Sequence, residues 1–158
     1  MSSAPEDWVF IGVGHSERQD DGVGPYIADA LARRGLTAVA HQGDGSGLLE
    51  LWDARQRCVV IDAVAGGGAP GTVHLFRDLD DPAFTGAGFV HSTHQIGLPE
   101  AVALGRALGR LPERLMVIGI TGTAFGFGSA LSPAVAEAAE QLIGRLAGGI
   151  DPFAAGSG

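Results

Sequence analysis

Three short apolar runs punctuate the chain: WVFIGVG (8–14), CVVIDAV (58–64) and LMVIGIT (115–121). None alternates apolar with polar residues, so each reads as a strand buried on both faces. LTAVAH (36–41) is a further strand candidate, and TVHLFRD (72–78) alternates like a half-exposed strand after the GGGAPG turn (66–71). Between these lie segments with apolar residues at helical spacing. PYIADALARRG (25–35) has Pro25 at its start and Gly35 as its stop. GLLELWDAR (47–55) and LPEAVALGRALGRL (98–111) are amphipathic, and SPAVAEAAEQLIGRL (132–146) opens with Ser132 as N-cap and Pro133 in the first turn. Strands that alternate with helices predict an α/β fold, a three-layer α/β/α sandwich around a mostly parallel, twisted five-stranded sheet. The expected organisation is a flexible leader over 1–7, one domain over 8–147 and a disordered tail over 148–158.

That fold says where to look for chemistry. In open α/β sheets the working crevice lies beyond the carboxyl ends of the strands, at the point where strand order reverses. Asp20 and Asp21 follow the first strand, and Asp62 ends the third. If those strands are neighbours, the carboxylates converge. A side-by-side aspartate pair in a glycine-rich loop is either solvated or waiting for something positive. An unpaired carboxylate closing a buried strand costs several kcal/mol, so Asp62 either caps amides of the GGGAPG turn or belongs to a site. His94, in HSTHQIGL, is a candidate metal ligand or general acid/base, and His91 could serve as well. His41 is placed near the same crevice at the end of the second strand, and His74 on a solvated strand. Two carboxylates and an imidazole together favour a divalent cation such as Zn2+, Ni2+, Mn2+ or Co2+.

Composition removes several alternatives. The formal net charge of −8 disfavours nucleic acid and anionic membrane surfaces as partners. All ten basic residues are arginine, which rules out a P-loop lysine, Schiff-base chemistry and a Ser–Lys pair. The single Cys58 lies in an apolar run and reads as a small core residue. Gly12-x-Gly14 begins like a dinucleotide fingerprint, but Glu17 stands where the third glycine belongs and would repel a pyrophosphate. Ser46 and Ser92 lie outside any nucleophile elbow. No segment is long enough to span a bilayer, and the chain reads as soluble, cytoplasmic and monomeric.

Taken together the landmarks resemble the hydrogenase maturation proteases, the endopeptidases that trim the C-terminus of the [NiFe]-hydrogenase large subunit. The matching elements are GVGH…DDGVG, GDGSGLLELWD, VVIDAVAGGGAPGTVHLF, STHQIGL, ALGRLPERLMVIGI and LSPAV, in order from about Val9 to about Leu146. The resemblance implies that Asp21, Asp62 and His94 are both the catalytic and the nickel-binding residues, with Asp20, His15 and Asp44 as supporting candidates. It implies a [NiFe]-hydrogenase large-subunit precursor as partner and Ni2+ as the ion, delivered with that precursor; Zn2+ or Cd2+ could substitute. A precursor without nickel would lack the bonds to these three side chains and be passed over. Two departures stand out. The family usually has Asn where His15 stands, and many members carry an acidic Pro-Glu element where this chain has GTAFGFGSA (122–130). A non-catalytic module that inspects the nickel site of the same precursor, and an unrelated small-molecule metallohydrolase, are the alternatives.

Overall fold

The computed structural model describes residues 5–42, 45–53, 56–90 and 96–148, without the side chains of 45 and 46. The strands are β1 (Val9–Val13), β2 (Thr37–His41), β3 (Arg57–Ala65), β4 (Val73–Phe76) and β5 (Arg114–Gly122). The helices are α1 (Val23–Arg33), α2 (Gly45–Leu51), α3 (Pro82–Thr85), α4 (Leu98–Ala107) and α5 (Pro133–Ala147), with 3-10 turns at Pro5–Asp7 and Gln19–Gly22. The five strands form one sheet in the order β2-β1-β3-β5-β4, all parallel except β4, which runs antiparallel to β5 along one edge. The α/β/α expectation holds.

Both faces of the sheet are covered, which is why the centres of β3 and β5 read as apolar runs interrupted only by Asp62 and Thr121. Phe10, Val59, Ile61, Met116, Ile118 and Ile120 pack under α1 and α5. Ile11, Cys58, Val60, Val64 and Val117 pack under α2, α3 and α4. Each fully buried Ile or Val contributes about 1.5–3 kcal/mol relative to an exposed one. Phe76, Phe84 and Phe89 meet edge to face at centroid distances of 5.5–5.7 Å. That cluster pins the 77–90 connection beneath the edge strand, each ring pair contributing about 0.5–1.5 kcal/mol beyond its burial.

Several element ends differ from the expected ones. The α1 helix begins at Val23 rather than Pro25, because the 3-10 turn at Gln19–Gly22 runs directly into it. Pro25 is then the third helical residue, still inside the first turn, where no intrahelical acceptor exists for its missing N–H. The α4 helix stops at Ala107, four residues short of the expected end, where Gly109 takes φ +66° and the Arg110 amide returns to the Gly105 carbonyl.

Candidate functional site

The order β2-β1-β3 reverses direction at β1, so the crevice between the carboxyl ends of β1 and β3 is the switch point of this sheet. Two glycines set the geometry there. A Cβ on Gly24 would lie 2.5 Å from the backbone oxygens of both Ile61 and Val13. Only glycine lets the first turn of α1 press this closely against β1 and β3. Gly14, at φ +139°, is the second: a Cβ there would lie 1.9 Å from the Asp21 carbonyl oxygen. The chain therefore leaves β1, loops through residues 15–22 and returns with Asp21 over its own starting point, beside the end of β3.

The three aspartates of this corner are all buried, with Asp20 at 0%, Asp62 at 2% and Asp21 at 4% exposure. Their surroundings differ sharply. Asp20 accepts four hydrogen bonds. Thr123 N–H (2.9 Å), Ala124 N–H (3.0 Å) and the Ser132 hydroxyl (2.8 Å) donate to Oδ2, and Ser132 N–H (2.7 Å) donates to Oδ1. Burial alone would raise its pKa, but these donors outweigh it and hold the carboxyl below its ordinary value. Asp20 is thus a clasp that ties the loop after β5, and the N-terminus of α5, to the loop after β1. Ser132 does sit at the N-cap position of α5, but its hydroxyl serves Asp20 and does not cap the helix.

Asp21 has one donor, the His15 N–H at 2.9 Å to Oδ2. Its Oδ1 is fully buried with no hydrogen-bond partner among the described residues. Burial raises its pKa, partly offset by the His15 amide and by the charges of His15 and Arg18. Among the described residues Asp62 accepts only from the amide of the next residue, Ala63 N–H at 2.8 Å. It therefore does not cap the GGGAPG turn. Burial pushes its pKa well above the ordinary carboxylate range, and the neighbouring charge of Asp21 adds to the shift. Two buried carboxylates that repel one another, one with an orphaned oxygen, form a donor set that fits a divalent cation accepting oxygen ligands. Asp21 and Asp62 would hold such an ion.

His94, His91 and Asp44 lie outside the described residues. The described chain runs alongside β3 as far as Val90. Phe89 bridges to Val64, and the Val90 N–H donates to the Ala63 carbonyl at 3.2 Å. Among the described residues, no three His, Cys, Asp or Glu side chains form a metal-binding group. His15 contributes its amide to Asp21 and lies close enough for its charge to act there. His41 closes β2 as expected, and its ring lies against Gly47 of α2, where a Cβ would come within 2.3 Å. The solvated reading of His74 fails. It is half-buried, its Nε2 lies 2.9 Å from Thr121 Oγ1, and that hydroxyl donates to the Gly66 carbonyl. Burial pushes the Cys58 thiol up to about 12, which leaves it inert.

The sequence reading missed the partners of Asp20 and the part played by Gln19. The Gln19 N–H donates to the Gly128 carbonyl (2.7 Å), and its side-chain Oε1 accepts from Gly126 N–H (2.8 Å). The only local signal was the glycine-rich character of GTAFGFGSA, whose backbone amides are left free to donate.

Comparison with known proteins agrees with this architecture. The family model described as HycI, hydrogenase maturation protease, matches residues 43–148, a span that includes Asp62 and His94. The hydrogenase expression/formation protein HupD of Rhodobacter capsulatus is 33% identical over 138 residues, covering 84% of this chain and 65% of its own. The hydrogenase 2 maturation protease of Escherichia coli K12 is 29% identical over 149 residues, covering 87% of this chain and 89% of its own. The solved structure of the hydrogenase maturating endopeptidase HybD from E. coli matches with a TM-score of 0.70 at 26% identity, over 87% of this chain and 88% of that one. The chain spans 65%, 64% and 64% of the lengths of three HupD relatives. With the family model spanning residues 43–148 and the fold matching that of a solved member, the chain belongs to the hydrogenase maturation protease family.

Proposed function

We propose that the protein is an endopeptidase that removes the C-terminal extension of a [NiFe]-hydrogenase large-subunit precursor after nickel has been inserted. The observation that carries this reading is the orphaned, buried Oδ1 of Asp21 beside the buried carboxylate of Asp62. A protein that kept this pair for packing would be more stable with apolar or amide side chains there. The pair is useful only when a cation arrives, and in the proposed reaction nickel arrives as part of the substrate.

In this reading Asp21 and Asp62 complete the coordination of the precursor's nickel, with His94 as the third ligand by family resemblance. The Asp20 clasp fixes the backbone from which Asp21 projects, so that carboxylate is positioned before the substrate docks. The His15 amide holds one oxygen of Asp21 and leaves the other for the ion. Both carboxyls have raised pKa values, so cation binding must displace any proton the pair holds. Cleavage should therefore weaken as pH falls. Bound nickel would supply Lewis acidity toward the scissile carbonyl or an attacking water.

The test is incubation with nickel-loaded and nickel-free precursor, with the C-terminal extension followed by mass. Wild type should shorten only the loaded form, and Asp62→Ala and His94→Ala should each lower the rate by at least about a hundred-fold. Undiminished cleavage by either variant would remove the site assignment. A stable complex without a shortened product would make the protein an inspector of the nickel site. Tight stoichiometric metal in the isolated protein would favour a resident-metal hydrolase.

A further inference from the structure

The loop between β5 and α5 carries a feature that the Asp21–Asp62 pair does not use. Phe127 is 85% exposed, far more than any other large apolar side chain among the described residues. An isolated exposed apolar residue on a mobile loop would need no explanation. This loop, however, is tied down along its length. Besides the Asp20 clasp at Thr123, Ala124 and Ser132, the Gly126 amide is held by the Gln19 side chain, and the Gly128 amide donates to the Glu17 carbonyl at 2.9 Å. The Gly128 carbonyl accepts from Gln19 N–H, and Gln19 itself is held at φ +53°, a conformation that non-glycine residues seldom adopt. A strained backbone and a dense set of bonds hold a phenyl ring out in solvent.

A cation lies on that ring. Arg18 Cζ sits 5.0 Å from the Phe127 centroid. Among the described residues Arg18 makes no ion pair within 4 Å. Arg18 is also close enough to the site for its charge to lower the pKa of Asp21. Its carbonyl accepts the Asp21 amide at 3.2 Å. The guanidinium over the ring and the exposed ring itself therefore stand at the rim of the aspartate corner. A guanidinium held face-on to a ring keeps its edge donors available for a carboxylate. In a chain of net charge −8, with two carboxylates at its crevice, an acidic segment would be repelled unless a local cation offset them.

We propose that Arg18 and Phe127 form a docking ledge for the precursor polypeptide, taking a stretch in which an apolar side chain stands next to a carboxylate. The apolar group covers the Phe127 ring and the carboxylate pairs with Arg18. Rigid aromatic and arginine side chains are what binding hot spots are made of. The ledge rests on the reading of the protein as acting on a precursor, but not on its cutting that precursor.

The experiment uses nickel-loaded large-subunit precursor as probe with wild type, Phe127→Ala, Phe127→Tyr and Arg18→Gln. Because Phe127 is so exposed, melting temperature should be unchanged in Phe127→Ala. KM for cleavage should rise about ten-fold with kcat within about two-fold, while Phe127→Tyr stays near wild type. If Phe127→Ala does not fold, Arg18→Gln decides, with a raised KM whose salt dependence is weaker than that of wild type. If wild type binds the precursor without cutting it, the endopeptidase reading fails separately, and an about ten-fold weaker Kd for Phe127→Ala still supports the ledge. KM and Kd unchanged by both Phe127→Ala and Arg18→Gln would overturn it. So would a precursor that does not bind wild type, or a wild-type dimer that Phe127→Ala converts to monomer, which would make the ledge a contact between copies.

Discussion

Asp20 and Asp21 are adjacent in the chain and both hidden from solvent, yet among the described residues one is saturated with donors and the other is starved of them. Asp20 accepts four hydrogen bonds, three of them from backbone amides, and its carboxyl is held below the ordinary range. Among the described residues Asp21 accepts one, leaves Oδ1 without a partner and faces a second buried carboxylate. Burial pushes both carboxyls upward; at Asp20 the donors that the fold supplies outweigh it, and at Asp21 they do not. Where the fold supplies donors, the charge holds the structure together. Where it withholds them, the charge is a cost in the free protein that a cation can relieve. The adjacency is itself informative, because the residue that anchors the loop also fixes the residue that waits.

The comparison makes predictions that run from large effects to small. Asp20→Ala strands three part-buried amides and a hydroxyl, and should lower unfolding free energy by about 3–5 kcal/mol in chemical denaturation. A loss below about 1 kcal/mol would show the clasp to be incidental. The pH dependence follows from the lowered pKa. The Asp20 contribution is fully present above the ordinary carboxyl pKa of about 3.9 and is lost as pH falls through its folded value. The deficit of Asp20→Asn relative to wild type should therefore shrink below about pH 4.

Gly24→Ala comes next. Its Cβ would meet two backbone oxygens that cannot move aside, so α1 must retreat from β3. About 1–3 kcal/mol of stability should be lost. In a carboxyl titration the Asp62 shift should also relax, as Asp21 moves away with the helix. A variant of unchanged stability and unchanged Asp62 titration would mean that the glycine contact does not set the distance between the carboxylates.

For Asp62→Asn the sign reverses. The folded pKa is raised, so the native state holds its proton more tightly than the unfolded chain does. The resulting penalty is absent below the ordinary carboxyl range and grows as pH rises through the folded pKa. The metal-free Asp62→Asn protein should be about 1–2 kcal/mol more stable than wild type at pH 7, with the gain vanishing by about pH 3. Asp21→Asn should give a smaller gain in the same melting experiment. Its carboxylate keeps the His15 amide and the nearby charges of His15 and Arg18, so less is relieved. Destabilisation by both amides at pH 7 would contradict the idea of a starved pair.

Much of the frame was legible in the sequence because burial on both faces leaves a strong mark. The runs CVVIDAV and LMVIGIT of β3 and β5 are apolar except at Asp62 and Thr121, and Asp62 is the one charged residue in them, which drew attention to it. Convergence of Asp21 with Asp62 followed from strand order alone, once β1 and β3 were taken as neighbours. The division of labour between Asp20 and Asp21 was not legible. The donors to Asp20 come from residues 123–132, more than a hundred positions away, and three of the four are backbone amides that carry no residue signature. His74 misled because an alternating strand suggests a wet face, whereas the antiparallel pairing of β4 places it opposite Gly119, within reach of Thr121. The short α3 was invisible because an Asp81 N-cap followed by Pro82 can open a turn as readily as a helix.

The most direct measurement of the central claim is a residue-resolved carboxyl 13C titration of Asp20, Asp21 and Asp62 in the metal-free protein. The account predicts Asp20 below the ordinary aspartate range, Asp21 above it and Asp62 well above it. Asp21 and Asp62 titrating like exposed aspartates, or Asp20 titrating highest of the three, would contradict it.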